Sequence, residues 1–317
     1  MKKVSVLRNL AKNFCYDRKQ YSFGVAMGRL YKDLPWGRWS RKQHYYEKCV
    51  LHFLNNKFNS VFEEYKSKPL YENTEHTGEE KHIWVMWWQG EDSMPPIVKK
   101  CWKSILDAAN GVCVTLITRE NYKEYIDISD EFVDRVESGK VCFANLSDLI
   151  RVVLIDSYGG LWIDATVLCQ TKIAESFWDQ DFYTLSSPGL FNVFIFRGDW
   201  SSFLLYGKKG CTLFHALRIC LETYYSKFDT PVDYLLIDYF MRVLIDNNPA
   251  YREALNSVPK CWDYYAINQM LNNTYNSESF QEAFKKCEFH KLTYKNIEYN
   301  NKKSVYSNLI GFNITGE

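Results

Sequence analysis

The sequence of 317 residues lacks the features that assign a chain to a class at once. It has no apolar run of the roughly 18 residues that a membrane-spanning helix requires. Its start, with Lys2 and Lys3, has no apolar stretch of signal-peptide length. No two of the ten cysteines form a Cys-x-x-Cys pair, which argues against zinc and thioredoxin-like sites. The cysteines lie scattered, several of them in apolar runs, so we expect reduced, cytosolic thiols that pack as small hydrophobic side chains.

Net charge is also nearly absent, at +1, but the charges are unevenly distributed. Residues 1–70 hold 15 of the chain's 39 Lys and Arg residues but 5 of its 38 Asp and Glu residues. Trp36, Trp39 and Tyr45 stand among these basic residues. Such a mixture is typical of a segment that rests on anionic lipid headgroups. A solvated helical face, or an arm packed on its own domain, explains the same composition.

Helical spacing in this first segment is broken at residues 34–37, and residues 71–81 are polar enough to be a linker. We therefore predict two units, a basic, aromatic helical arm over residues 1–75 and a second domain over residues 76–317. In the second unit short apolar runs alternate with helical patterns, which predicts an α/β fold with a largely parallel central sheet. The predicted strands are residues 83–88, 112–117, 161–163 and 191–196, and the predicted helices include one that starts at Pro95–Pro96 and others at 120–125, 130–138, 211–227 and 234–247.

One stretch combines a helix, a tight turn and a strand with charged residues at one edge. Asn145 is a good helix N-cap, and Gly159-Gly160 ends the helix before a strand that closes at Asp164. Because the chain reverses at the glycines, the helix start, with Asp148 and Arg151, meets the strand end at the edge where open α/β sheets bind ligands. A carboxylate there can hold a divalent cation against phosphate, and an arginine can clamp phosphate or sugar hydroxyls.

Each of these residues also has a purely structural explanation. Asp148 can be a helix-start charge, Arg151 can form an ordinary i,i+3 bridge with it, and Asp164 can be a turn residue. Their convergence on one helix–turn–strand unit favours a binding site. Asp238 is a further candidate, because a carboxylate in the apolar segment 234–240 is costly unless it is paired or functional. The structural alternative for Asp238 is a helix N-cap.

The sequence of this unit resembles a known family. Leu146–Arg151 and Tyr158–Thr166 are similar to the SDxxR…YGGxxxD block of the capsular polysaccharide synthesis glycosyltransferases, family-32-like enzymes with a D-x-D sugar-binding region. Weaker similarities follow in the same order at residues 83–90, 236–240 and 290–295. The resemblance, which covers about residues 82–295, implies a GT-A fold for the second unit, that is, a Rossmann-like, mostly parallel sheet.

The resemblance also implies roles for individual residues. A UDP-sugar donor would be bound by Trp87 or Trp88 against its uracil, and further by Asp148, Arg151, Tyr158, Lys291 and Lys295. Mn²⁺ or Mg²⁺ would be held by Asp164, Thr166 and His290, and the catalytic residues would be Asp164, Asp238 and Arg151. Because Thr166 replaces the second aspartate of D-x-D, His290 is a candidate second ligand, although a surface histidine is an equal alternative. Lys291 and Lys295 are either partners of the diphosphate or solvated charges.

The implied function is transfer of a hexose, with retention of configuration, from UDP-glucose or UDP-galactose to a lipid-linked oligosaccharide in capsular or cell-surface polysaccharide synthesis. The enzyme would be metal-dependent and would act in the cytoplasm at the inner face of the cell membrane, on whose anionic surface residues 1–70 rest. The alternative is a non-catalytic sugar-nucleotide-binding or scaffold protein of a polysaccharide assembly complex. A nucleotidyltransferase is disfavoured because the loop Gln89–Asp92 is acidic and has one glycine. We expect no nucleic acid partner, since no binding motif for one is recognised.

Overall fold

The computed structural model describes residues 2–72, 81–298 and 300–311, with side chains from residue 8 onward. The helices are α1 (Lys2–Gln20), α2 (Phe23–Asp33), α3 (Trp39–Tyr65), α4 (Pro96–Ala108), α5 (Tyr122–Tyr125), α6 (Asp130–Glu137), α7 (Phe143–Tyr158), α8 (Thr212–Lys227), α9 (Leu236–Asn247), α10 (Pro249–Ser257), α11 (Ala266–Gln269), α12 (Ser277–Phe284) and α13 (Val305–Gly311). The strands are β1 (His82–Met86), β2 (Cys113–Ile117), β3 (Gly160–Ile163), β4 (Val167–Cys169), β5 (Phe182–Thr184), β6 (Leu204–Gly207) and β7 (Phe289–Lys291).

The centre of the molecule is a five-stranded sheet in the order β2–β1–β3–β6–β5. Strand β1 is parallel to both β2 and β3, whereas β6 is antiparallel to β3 and to β5. Every strand of this sheet except β6 therefore runs in the same direction. Strands β4 and β7 form a separate antiparallel pair. The predicted α/β class, with a mainly parallel central sheet and helices at the N-terminus, is confirmed.

The residues of β1 alternate between the two faces of the sheet, and each face has its own apolar core. Trp84 and Met86 belong to the cluster that α3, α7, α8 and α9 share. Ile83 and Val85 belong to the cluster on the side of α4. Because both faces of β1 are covered, the strand is a continuous apolar run in the sequence rather than an alternating one.

The N-terminal helices pack on the rest of the chain. Helix α2 begins after Ser22, whose side chain accepts a hydrogen bond from the backbone N–H of Val25 at 3.1 Å, and it ends before the predicted break at residues 34–37. Helix α3 buries one face in the core, where the ring centroid of Phe58 lies 4.9 Å from that of Phe240. The division into an arm and a second domain stays a prediction, because most of the linker between them lies outside the described residues. In the described part of the chain, no helix is both long and apolar enough to cross a membrane.

Two local predictions are wrong. Residues 191–196 form turns rather than a strand, because Phe191 and Arg197 adopt positive φ angles of 64° and 52°, which an extended strand does not allow. The strand that enters the sheet in this part of the chain is β6. Helix α7 starts at Phe143, so Asn145 lies inside the first turn instead of capping it.

Candidate active site

A pocket of about 210 Å³ opens at the carboxyl end of β3. Strand β6 is antiparallel to β3, with Leu204 opposite Ile163, so the residues before β6 lie beside the residue after β3. Here the backbone N–H of Asp164 donates to the carbonyl oxygen of Phe203 at 2.9 Å. The pocket is lined by Ala144, Asp148, Arg151, Asp164, Phe196, Trp200, Ser201, Ser202, Phe203, Tyr234, Leu235, Asp238, Tyr264, Tyr265 and Lys291.

Arg151 is the centre of the charged network in this pocket. Its Nη1 lies 3.0 Å from Oδ1 of Asp148, and its Nη2 lies 3.3 Å from Oδ1 of Asp164. Nη2 also donates to Oγ of Ser147 at 2.9 Å, and Nη1 donates to the carbonyl oxygen of Ser202. These contacts fix the buried guanidinium between two carboxylates. The convergence of the three charged residues that the helix–turn–strand unit predicts is thus present in the structure.

Both oxygens of Asp164 have partners. Oδ1 accepts a hydrogen bond from Nε1 of Trp162 at 2.8 Å, in addition to the contact with Arg151. Oδ2 lies 2.6 Å from Nζ of Lys291. The same ammonium contacts Oγ1 of Thr166 at 2.7 Å. The side chains of the D-x-D-like run Asp164-Ala165-Thr166 therefore hold a lysine ammonium between them.

The two carboxylates on Arg151 differ in their electrostatics. Burial alone would raise the pKa of Asp164, but the charges of Lys291 and Arg151 outweigh it and hold that pKa below its ordinary value. For Asp148, burial prevails over the attraction of Arg151, and repulsion by Asp164 adds to it, which raises the pKa to about 6. At neutral pH Asp164 is fully ionised, whereas the pKa of Asp148 is close to the ambient pH.

Asp238 forms another wall of the pocket, in the first turn of α9, and is almost completely buried. Its Oδ1 accepts a hydrogen bond from Nε1 of Trp200 at 2.8 Å. Burial raises the pKa of Asp238 to about 7, against the lowering effect of that hydrogen bond. The Trp200 ring is held in turn by Arg242, whose guanidinium carbon lies 4.4 Å from the ring centroid. Leu235 occupies the N-cap of α9, so Asp238 is a pocket residue and not a cap.

The aromatic walls of the pocket were not predicted from the sequence. They are Phe196, Trp200, Phe203, Tyr234, Tyr264 and Tyr265. Trp200 and Phe203 reach the pocket because they precede β6, a strand that is absent from the predicted elements. Tyr264 reaches it because its carbonyl oxygen accepts a hydrogen bond of 2.8 Å from the backbone N–H of Lys291. The signal in the sequence is the apolar stretch 203–206, which follows the polar residues Ser201 and Ser202.

The structure does not bring Tyr158 to the pocket. It lies at the opposite end of α7 from Asp148, about 15 Å away along the helix axis. Its phenol donates to the carbonyl oxygen of Tyr125 at 2.7 Å, and its ring centroid lies 5.6 Å from that of Trp84. These contacts indicate a packing role for Tyr158 at the edge of the sheet opposite the pocket.

The two tryptophans after β1 have different surroundings. The Trp87 ring lies edge-on to Tyr294, with 5.6 Å between the centroids, and Nζ of Lys295 lies 5.7 Å from the Tyr294 ring. Trp87, Tyr294 and Lys295 thus form a second group at the carboxyl end of β1, beside β3 in the sheet. Trp88 is instead buried, with its ring centroid 5.1 Å from that of Tyr122.

His290 does not join Asp164 and Thr166. Its Nε2 lies 2.9 Å from the carbonyl oxygen of Phe284, and its ring stacks on the Phe284 ring at 5.1 Å. Burial lowers the pKa of His290 to about 4. Successive residues of a strand face opposite sides, so it is Lys291 and not His290 that faces the pocket. Among the described residues no group of three or more His, Cys, Asp or Glu can hold a metal ion, and the three predicted ligands Asp164, Thr166 and His290 are not brought together.

A pocket at the carboxyl edge of an α/β sheet, with aromatic walls and a few convergent charged groups, is of the class in which proteins bind small molecules. The model of the family described as capsular polysaccharide synthesis protein matches residues 34–309. The chain belongs to this family, and the resemblance predicted from its motifs is confirmed. The match extends beyond the motifs to helix α3.

One solved structure that resembles this chain is a PaToxG glycosyltransferase. The TM-score is 0.39 and the sequences are 12% identical, over 77% of this chain and 95% of that chain. A similarity at this level implies nothing about function. No curated protein matches the sequence.

Proposed function

We propose that this protein is a glycosyltransferase that moves a sugar from a UDP-sugar to a saccharide acceptor. The observation that carries the proposal is the position of Asp164 at the end of β3, between the guanidinium of Arg151 and the ammonium of Lys291. A departing nucleoside diphosphate gains negative charge on its leaving oxygen, and fixed cations beside the pocket stabilise that charge. Membership of the capsular polysaccharide synthesis family supports the same activity.

In this proposal the donor lies along the carboxyl edge of the sheet. Trp87 is partly exposed beside Tyr294, which favours stacking of the uracil at the end of β1. The diphosphate then meets Lys291, and the sugar enters the pocket beside Asp148 and Asp238. Carboxyl groups with raised pKa values can donate as well as accept hydrogen bonds, which suits them to sugar hydroxyls.

The finer details of the proposal rest on the motif resemblance. The donated sugar is a hexose, from UDP-glucose or UDP-galactose, and the transfer retains the configuration of the anomeric carbon. The acceptor is a lipid-linked oligosaccharide, and the pocket positions its hydroxyl group near the anomeric carbon. The product extends a capsular or other cell-surface polysaccharide.

The surface of the N-terminal helices supports a place at the inner face of the cell membrane. Large apolar side chains are exposed there, namely Tyr16, Phe23, Met27, Tyr31, Trp36, Trp39 and Tyr45. Phe23, Met27 and Tyr31 are spaced four residues apart, so they lie on one face of α2. Basic residues such as Arg38 and Arg41 accompany them. Apolar anchors beside basic side chains are the composition of a segment that binds an anionic lipid surface.

The experiment is to measure UDP release from a panel of UDP-sugars with a lipid-linked saccharide acceptor. We expect release with one hexose donor, and a loss of about a hundredfold in Asp164→Asn. Arg218→Gln, which alters an exposed ion pair with Glu222, is the control and keeps full activity. A chain that binds UDP-sugars but never releases UDP would instead be the non-catalytic sugar-nucleotide-binding protein.

A further inference from the structure

The environment of Lys291 resembles a coordination site for a cation. Its Nζ lies 2.6 Å from Oδ2 of Asp164 and 2.7 Å from Oγ1 of Thr166, the two side chains that stand at the ends of the D-x-D-like run. It also lies 4.9 Å from the centroid of the Phe203 ring. The ammonium is therefore surrounded by a carboxylate, a hydroxyl and a π face, all of which attract positive charge.

The backbone holds this lysine in place. Lys291 ends β7 and is paired with Val167 of β4, so the lysine lies next to the D-x-D-like run in the sheet register. Its backbone N–H donates to the carbonyl oxygen of Tyr264 at 2.8 Å, and the N–H of Leu292 donates to the carbonyl oxygen of Thr166 at 2.9 Å. Lys291 is thus fixed on both sides of its Cα, and its charge does not depend on a mobile loop.

The oxygens that a metal ion would use at this site are already engaged. Oδ1 of Asp164 accepts from Trp162 at 2.8 Å and contacts Arg151 at 3.3 Å, and Oδ2 contacts Lys291. Thr166 offers a neutral hydroxyl where D-x-D has a second carboxylate. Mg²⁺ and similar hard cations are bound through carboxylates and other oxygen ligands, and the described ranges hold no group of three or more His, Cys, Asp or Glu that could bind such a cation.

We infer that the ammonium of Lys291 takes the place of the divalent cation and that the transfer proceeds without a metal ion. This inference rests on the proposed glycosyltransferase function and goes beyond it by identifying the group that stabilises the charge on the departing UDP. Lys291 and Arg151 together carry two positive charges, the same number as one Mn²⁺ or Mg²⁺. An ammonium has three N–H donors, and the contacts with Asp164 and Thr166 use two of them. The third is available for an oxygen of the diphosphate.

The transfer step is balanced without any co-reactant. The bond between the anomeric carbon and the β-phosphate oxygen breaks, and its electron pair leaves with UDP, whose new charge Lys291 stabilises. The acceptor oxygen forms the new bond to the anomeric carbon. Its proton passes to the departing phosphate. No oxidation or reduction occurs, and the lysine stays protonated throughout.

The test measures binding rather than turnover, by isothermal titration calorimetry of the full chain with UDP and with UMP. After treatment with EDTA and desalting, we expect a Kd for UDP that agrees within about twofold with the value measured in Mn²⁺. An affinity that increases about tenfold or more on addition of Mn²⁺ would overturn the inference but leave donor binding intact. Absence of UDP binding in both conditions would instead overturn the proposed function, and the inference with it.

The second arm of the test removes the charge. In EDTA, Lys291→Met should weaken UDP binding by about tenfold or more, the effect expected for one charge-assisted hydrogen bond, and should weaken UMP binding less. Lys291→Arg, which keeps the charge, should recover part of the loss. Lys103→Met, an exposed lysine on α4, is the matched control and leaves Kd unchanged. Equal Kd values for UDP in Lys291→Met and the unaltered chain would refute the role of Lys291.

Discussion

Nε1 of Trp200 lies 2.8 Å from Oδ1 of Asp238, and both residues are buried. The hydrogen bond favours the ionised carboxylate, whereas burial favours the protonated form, and burial prevails. Asp148 and Asp233 oppose ionisation of Asp238 as well, and Arg151 favours it. The pocket thus keeps a carboxyl group whose charge is opposed by its surroundings, which is common where function and not stability selects a residue.

Asp238→Asn should stabilise the protein at neutral and alkaline pH. The pKa of Asp238 is about 7 in the folded chain against 3.8 for an unperturbed aspartate, so folding takes up a proton between these values. The free energy of unfolding therefore falls as the pH rises from about 4 to about 7, and stays low above that window. Asparagine mimics the protonated carboxyl, so the variant should gain roughly 2–4 kcal/mol at pH 8.

The measurement is urea unfolding at a series of pH values between acid and alkaline conditions. Part of the slope should remain in the variant, because the pKa of Asp148 is raised in the same direction, to about 6. Glu222→Gln, an exposed carboxylate on α8, should leave the slope unchanged. An Asp238→Asn protein with the same pH profile as the unaltered chain would contradict the prediction. UDP release measured alongside should fall, if Asp238 contacts the sugar.

Trp200→Phe should destabilise the protein at pH 8 by about 1–3 kcal/mol, because the Asp238 oxygen loses its donor while it stays buried. The same change should raise the pKa of Asp238 further, since the lost hydrogen bond favours the ionised form. Trp102→Phe is a matched control. Trp102 is also buried, but its Nε1 has no hydrogen-bond partner in the described part of the chain.

Thermal and urea unfolding of both variants measure the difference. We expect Trp102→Phe to lose less stability than Trp200→Phe, because it removes a donor that is already unsatisfied. The Trp200→Phe change should also cost less in an Asp238→Asn background than alone, as a double-mutant cycle would show. Additive effects in that cycle would mean that the two side chains are not energetically coupled.

Arg151→Met should be strongly destabilising. It removes the cation from between Asp148 and Asp164, whose contacts with it are 3.0 and 3.3 Å. Asp164 keeps Lys291 as a partner, but the buried carboxylate of Asp148 loses its cation, at a cost of about 3–5 kcal/mol. Arg119→Met is the control, because Arg119 pairs with Glu137 on an exposed surface, where a bridge contributes about 0–1 kcal/mol. Comparable urea midpoints for the two variants would show that the Arg151 network contributes little to stability.

The unit that carries Arg151 was predictable because its signals are local. Gly159 has a φ of 73°, and a Cβ there would lie 2.7 Å from the backbone nitrogen of Lys209, so a residue other than glycine would not fit the turn. The helix before it and the apolar strand after it follow from the same twenty residues. Because the chain reverses at the glycines, the start of the helix, with Arg151, and the end of the strand, with Asp164, then lie side by side.

The remaining walls depend on contacts that are distant in sequence. Trp200 lies just before β6, which pairs antiparallel with β3, and no local pattern specifies that pairing. The motif resemblance placed both His290 and Lys291 near the donor, but it did not say which of two neighbouring residues on β7 faces the pocket. A shift of one residue in a strand moves each side chain to the opposite face. On β7 such a shift decides whether the imidazole of His290 or the ammonium of Lys291 faces the pocket.

The exposed aromatic side chains on α2 and in the turn that follows it make the membrane proposal testable. Deletion of residues 1–70 is unsuitable, because α3 contributes Phe58 and other buried side chains to the core. Phe23→Ser combined with Trp36→Ser is a smaller change, since the two side chains are 60% and 66% exposed and their replacement leaves the core intact. Full burial of one large apolar side chain such as Phe contributes about 1.5–3 kcal/mol to the free energy of binding. The double variant loses two such side chains, so it should bind anionic vesicles at least about tenfold more weakly.

Co-sedimentation with vesicles that contain phosphatidylglycerol measures this binding, and vesicles of phosphatidylcholine alone measure its dependence on charge. Binding of the unaltered chain should weaken as salt is added, because the basic residues of the arm act through a screened electrostatic attraction. Trp262→Ser is the matched control, since the side chain of Trp262 is 87% exposed but lies outside the arm. If Trp262→Ser reduces vesicle binding as much as the double variant does, the lipid contact is not specific to Phe23 and Trp36, and the arm has a different partner.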